Sequence, residues 1–401
     1  GRERRSRASL VEITLGREQE QNKNNMNRTS SFRRVPFRGR ATGLGRSSVE
    51  LQCANAKKQP VDGCNAQIHI MALPKVELHV HLEGTIARPE NTDANFMSLG
   101  DFLGVYDKGM EKLQTARDFH DVTLAYLRRA ADDEVRHVEM FFDPEPHMER
   151  GIAAGAMVDG IEEAIDTASR ELSTPAGAHI TANMIFSWQR NRGVRSAEAC
   201  LQAMAPYVGR VVGVGTSSDY VASWPEQYAP LYHKAESLGF RKCCHAGELT
   251  DGSDGDWSGM ERALKLIDPE RIDHGYRCVA DPSGRLLEAV VEKQVHLTVC
   301  PLSNARLRCI NSLAEHPLRR LIDSGCNISL NSDDPGYVSD AERHLTQVFA
   351  LCSDQFELSL DELANISKSA ARAAFISEDR LVEIEQAIDK WTVQVQQQTE
   401  P

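Results

Sequence analysis

From Lys75 onward the chain alternates short β-rich runs with amphipathic stretches, and that rhythm limits its fold more than any other feature. The β-like runs fall at residues 76–82, 135–142, 179–186, 210–215, 241–245, 271–274, 295–299 and 327–331. Helical patterns lie between them, at 118–131, 154–172, 197–205, 227–238, 260–267, 284–292 and 317–324. Eight strands separated by helices is the count of a (β/α)8 barrel, so the predicted class is α/β, a TIM-type barrel. Three more helical stretches, 341–353, 360–374 and 378–396, are expected to close the barrel and pack outside it. One domain is therefore predicted over residues 73–401.

The position of the ionisable residues supports a closed barrel over an open doubly wound sheet. His81, His245, His274, Asp333 and Asp334 all come at or just after the end of a predicted strand. A barrel gathers the carboxyl ends of its first, fifth, sixth and eighth strands around one point, where its active site lies. An open sheet does not.

The first strand carries the sequence ELHVHLEG, residues 77–84. Side chains at i and i+2 share one face of a strand, so His79 and His81 converge while Leu78, Val80 and Leu82 pack on the other side. A strand HxH alone is often only a pair of half-buried polar residues. Here it is accompanied by CCHAGE (243–248), RIDHG (271–275) and SLNSDDPG (329–336), each a β-like run ending in an ionisable residue and a turn. His79, His81, His245 and Asp333 supply three imidazoles and a carboxylate, the donor set of a catalytic zinc site with an open position for water. Such a cation lowers the pKa of bound water towards 7. Asp333-Asp334-Pro335-Gly336 also reads as plain turn chemistry. With three strand-end histidines nearby, one aspartate is assigned to metal and Asp334 to substrate. His274 is then a base for the water, and Glu248 an acid on the same rim.

Residues 1–72 differ from the rest, with 14 Lys and Arg against 6 Asp and Glu, whereas the remainder has 32 against 52. The leader is rich in Arg, Ser, Asn and Gln without periodicity and is expected to be disordered. The acidic body argues against nucleic acid as a partner and suits a neutral small molecule. No apolar run is long enough to span a membrane. Ten cysteines without a CxxC pair read as free core thiols in a reducing compartment. The cytoplasm is the expected location, with the nucleus or, through the basic leader, an organelle as alternatives.

Five motifs in order, LPKVELHVHLEG, HAGE, HG, CPLSN and NSDDP, resemble the zinc-dependent adenosine and adenine deaminases of the amidohydrolase barrels. The resemblance runs from Leu73 to about residue 380. FFDP (141–144), the HLEG form and RIDHGYRC look most like the adenine deaminase branch. It implies one Zn2+ on His79, His81, His245 and Asp333, proton donation to purine N1 by Glu248, water activation by His274, and a hydrogen bond from Asp334 to N7. The implied reaction is hydrolysis of adenine to hypoxanthine and ammonia. Adenosine, an N6-substituted purine nucleotide, or purine binding without catalysis are the alternatives, and imidazole and carboxylate also suit iron or manganese.

Two departures from the family pattern bear on function. The segment between Gly84 and Phe102 is short where the family places its first barrel helix and part of a lid, so NTDANFMSLGDFL is at best a minimal substitute. GVGTSS (213–218) stands where the family has a GVGLDS-like segment, which removes a carboxylate near the purine edge and leaves Ser217 and Ser218 as the candidate contacts there. Selectivity for the free base is expected from Glu83, one methylene longer than the aspartate of HLDG-type enzymes, as an acceptor near N9. The sequence is silent on oligomeric state.

Overall fold

Eight parallel strands hydrogen-bond in strict sequence order. They are β1 (Lys75–His81), β2 (Val135–Phe142), β3 (Thr181–Gln189), β4 (Val211–Ser217), β5 (Arg241–Ala246), β6 (Arg271–His274), β7 (His296–Val299) and β8 (Ile328–Leu330). The computed structural model describes residues 63–88, 96–219, 221–249, 257–339 and 344–399. All eight expected strands are present and form the predicted barrel. β8 is shorter than its sequence pattern, because the Asn331 side chain takes over the ladder: its Oδ1 accepts from Leu78 N at 2.9 Å. The barrel closes just beyond it. His81 N donates to Asp333 O (2.9 Å) and Asp333 N to His79 O (3.1 Å), so the closing seam between β8 and β1 runs through three candidate site residues.

Leu78, Val80 and Leu82 belong to the main core between barrel and helices, as the alternation required. The barrel interior is layered. At its base Glu139 pairs with Arg271, whose guanidinium lies over Phe375 at 4.1 Å while Arg241 flanks the same ring at 4.4 Å. Above them Phe141, Ile185 and Cys243 form a small apolar layer. The ionisable cluster sits on top of that layer, shielded from below.

The three C-terminal helices are His344–Phe356, Leu360–Ala373 and Glu378–Thr399. Leu360–Ala373 contacts both β1 and β8 and covers the closing seam from outside. The expected disordered leader ends earlier than residue 72. Gly63–Ala72 is a helix that packs on the first two of these helices. Ile70 is buried there, and Trp391 Nε1 donates to His69 O at 3.1 Å. This short segment orders because it lies against apolar surface that the barrel alone leaves open. Residues 1–62, which hold the rest of that expectation, lie outside the described residues. No helix among the described residues is long and apolar enough to cross a membrane.

Candidate active site

His79, His245, His274 and Asp333 place one ligand atom each within 4.8 Å of one another, all buried. His81 joins them: its Nε2 lies 3.1 Å from His245 Nε2 and 3.4 Å from Asp333 Oδ1. Every residue of the expected metal set is therefore in one cluster, with His274 beside it.

The protonation of the rings follows from their other nitrogens. Asp273, the residue before His274, accepts from Thr298 Oγ1 at 3.0 Å and from His245 Nδ1 at 3.2 Å. Thr298, its hydroxyl hydrogen committed to Asp273, accepts from His79 Nδ1 at 2.9 Å. One carboxylate thus fixes two imidazoles with protons on Nδ1 and lone pairs on Nε2. Those lone pairs face inward. His79 Nε2 is buried without a hydrogen-bond partner among the described residues and lies 3.2 Å from Asp333 Oδ1. Burial and the neighbouring rings hold His245 well below the usual imidazole range, and burial brings His81 down to about 4. Burial opposes ionisation of Asp333, but His79, His274 and His81 outweigh it and keep the group a carboxylate. At His79 burial is outweighed by the Asp333 carboxylate, which raises the ring, so nitrogen and oxygen compete for a proton where a divalent cation would take both as ligands, and the residues fit a metal.

Three residues with left-handed backbone shape the site: Ser218 (φ 70°), His274 (φ 64°) and Asp333 (φ 63°). Such a conformation costs a non-glycine residue about 1–3 kcal/mol. Each lies at a strand end, in one of the adjacent pairs Ser217–Ser218, Asp273–His274 and Asp333–Asp334. The turn lets two consecutive side chains face the interior, which a regular strand forbids.

Ser217, Ser218, His274, Asp333 and Asp334 border an open cleft, with Glu248, His81 and His245 also lining it. Glu248 Oε1 lies 3.5 Å from His274 Nε2 and accepts from the Cys309 thiol, while Tyr276 fixes its backbone carbonyl at 2.6 Å. Asp334 packs on Gly84 so closely that a Cβ there would sit 2.0 Å from Asp334 Oδ1. The HLEG glycine is therefore dictated by the seat of Asp334. The helix Leu99–Met110 presents Leu99, Phe102, Leu103 and Tyr106 to the cleft, at helical spacing. The short segment after Gly84 thus still leads into a covering helix, and Ala116–Asp132 makes the first crossover.

Asp143 and Gln189 line the cleft with Ser217 and Ser218. Ser217 Oγ lies 3.4 Å from Asp143 Oδ1. The carboxylate absent from GVGTSS is thus matched in space by Asp143, which FFDP supplies from β2. Arg190, buried below, donates to the carbonyls of Ser217 (3.1 Å) and His245 (2.9 Å) and ties the tips of β4 and β5 together.

Glu83 is not where the sequence suggested. It is fully buried but does not border the cleft. Its Oε1 accepts from Asp143 N (3.1 Å) and His147 Nε2 (2.9 Å), because the turn at Glu83–Thr85 directs it behind β2. The alternative of a solvent-facing cap fails equally. Asp273, Thr298, Asp143 and Tyr106 were not singled out from sequence; only the presence of Asp143 in FFDP and Asp273 in RIDHG marked them.

Residues 87–391 match the adenosine deaminase family profile. The chain belongs to the adenosine deaminase family. Among this family's members, the adenine deaminase of Streptomyces coelicolor is 37% identical over 347 residues, 80% of this chain and 94% of the relative. That of Sphingopyxis alaskensis is 34% identical over 342 residues, covering 80% and 96%. The crystal structure of adenine deaminase from Arthrobacter aurescens shares the fold with a TM-score of 0.72 at 33% identity, covering 80% of this chain and 99% of that one. An amidohydrolase from Burkholderia ambifaria, solved with bound Zn, has a TM-score of 0.69 at 24% identity over 84% and 97% of the two chains. For this adenosine deaminase family member, the expected barrel and family resemblance hold.

Proposed function

We propose that the chain hydrolyses adenine to hypoxanthine and ammonia with one Zn2+ held by His79, His81, His245 and Asp333. The observation that carries this reading is the convergence of Glu248, His274 and Asp334 on one cleft with that donor set. The relatives' name, adenine deaminase, supports the substrate, and the zinc in the Burkholderia ambifaria structure supports the metal. When bound, the cation supplies charge that lets water ionise near neutral pH.

The protein groups supply the rest. His274 takes one proton from the attacking water. Asn304 lies 3.2 Å from His274 Nδ1, and its amide can present either nitrogen or oxygen there, so it serves both protonation states of the ring. Glu248 delivers a proton to purine N1, which lets the ring accept electrons as oxygen bonds to C6. Asp334 hydrogen-bonds N7 and fixes the ring plane. Breaking the C6–N6 bond releases ammonia with the proton from His274. The hydroxyl proton returns to Glu248 as the carbonyl forms, so one water is consumed and no other reactant is needed.

On this reading the protein consumes free base released by nucleoside cleavage, a step of purine salvage. Eight free cysteines among the described residues, seven of them buried, support a reducing location such as the cytoplasm. The test is an ultraviolet assay of the zinc-loaded protein on adenine and adenosine with metal analysis. Adenine turnover with about one zinc per chain is expected; preference for adenosine, or no turnover by loaded protein, overturns the proposal.

A further inference from the structure

Two buried polar groups, one at the cleft wall and one behind it, lack partners among the described residues. The Tyr106 hydroxyl is one, on a side chain 4% exposed that borders the cleft; Glu83 Oε2 is the other. Burial, and then the charges of Asp143, Glu83 and Asp334, push the Tyr106 phenol well above its usual range. A buried unpaired hydroxyl is costly, so its position calls for a ligand.

The orientation of Asp143 is set by a chain of fixed donors. Arg150 donates to His147 Nδ1 at 2.6 Å, so His147 Nε2 carries the hydrogen given to Glu83. Glu83 in turn accepts from Asp143 N. From the other side, Arg192 Nε donates to Gln189 Oε1 at 2.6 Å, which leaves Gln189 Nε2 to donate to Asp143 Oδ2 at 2.9 Å. Asp143 is held at the cleft wall with Oδ1 accepting from Ser217 and Oδ2 from Gln189, and Tyr106, its hydroxyl without a partner among the described residues, lines the same cleft.

We infer that Tyr106 and Asp143 read the N3/N9 edge of the purine: the phenol donates to the N3 lone pair and an Asp143 side-chain oxygen accepts the N9–H found only in a free base. This rests on the adenine reading and specifies how that base is chosen. N3 and N9 are neighbours across C4, so a donor and an acceptor that line one cleft can serve them together. A nucleoside carries a sugar at N9, which denies Asp143 that hydrogen and collides with it. Glu83 is then a positioning residue that acts through Asp143.

The experiment compares kcat/KM for adenine and 3-deazaadenine, which has C–H in place of N3, on wild type and Tyr106→Phe. The intrinsic difference between the rings cancels in this comparison. Adenine should lose roughly tenfold in Tyr106→Phe while 3-deazaadenine is unchanged, so the wild-type discrimination shrinks by that factor. Equal losses for both, or none, overturn the phenol contact. For the carboxylate, adenine and 9-methyladenine are compared on wild type and Asp143→Asn. The ratio favouring adenine should fall by about tenfold or more; an unmoved ratio with active enzyme overturns the acceptor role. Zinc-loaded wild type inactive on adenine would instead sink the underlying function and this contact with it.

Discussion

Replacing Asp273 by Asn should weaken metal binding although Asp273 is not itself a proposed ligand. The carboxylate accepts from Thr298 and from His245 Nδ1 at once, and through Thr298 it also sets His79. An amide has one acceptor oxygen. If that oxygen keeps Thr298, the amide NH2 opposes His245 Nδ1–H, and the ring must move its proton to Nε2. If it keeps His245 instead, the NH2 faces Thr298, whose hydroxyl turns to donate to His79 with the same result there. Either way one inward lone pair becomes an N–H. Loss of a hydrogen bond to a charged group is worth about 1.5–3 kcal/mol, or roughly tenfold to a hundredfold in affinity, the usual range for partners behind metal ligands. Zinc affinity measured by competition with a chelator should fall by that factor, with circular dichroism unchanged. Affinity within about threefold of wild type would show that Asp273 does not orient the cluster.

Other outcomes follow from single contacts. Gly84→Ala should lower kcat/KM for adenine by about tenfold or more with zinc content unchanged, since the new Cβ would sit 2.0 Å from Asp334 Oδ1; wild-type kinetics would place Asp334 outside the reaction. Glu248→Gln should cut kcat by about a hundredfold at constant metal content, read by steady-state assay, whereas near-normal turnover assigns the N1 proton elsewhere. Ile70→Ala, at a site 2% exposed, should cost about 2–4 kcal/mol in urea unfolding; no change would mean that the helix Gly63–Ala72 adds nothing to stability. Burial tends to raise the Glu139 pKa, but Arg271 and His137 overcome this and bring it down to about 2. The pair's contribution is therefore complete above about pH 4.5 and is lost as pH falls towards 2, so a stability profile should slope downward there. In Glu139→Gln that slope should flatten and neutral-pH stability should drop, because Arg271 is left buried without its partner.

The barrel and most of the site were legible because their signals are local. Eight apolar runs each fix one strand, and a pair such as His79 and His81 is placed by the period of two alone. Residues at the ends of strands 1, 5, 6 and 8 then meet because a closed barrel has one carboxyl rim. The helix Gly63–Ala72 was hidden because its own sequence shows no amphipathic pattern; it orders by contact with helices nearly 300 residues away. Asp273 was hidden by the same rule that revealed the histidines: on a regular strand it should point away from its neighbour His274. Only the left-handed turn at His274 brings both inside, and the turns at Ser218 and Asp333 act alike. Glu83 shows the converse. Its place next to the HxH strand suggested substrate, yet the turn after β1 carries it behind β2, where Asp143 N and His147 claim it. Sequence alone determined which residue types reach the rim, since that depends on periodicity and order. Tertiary structure decided which of them touch the cleft and which hold those that do, since that depends on backbone turns and on partners supplied by other strands.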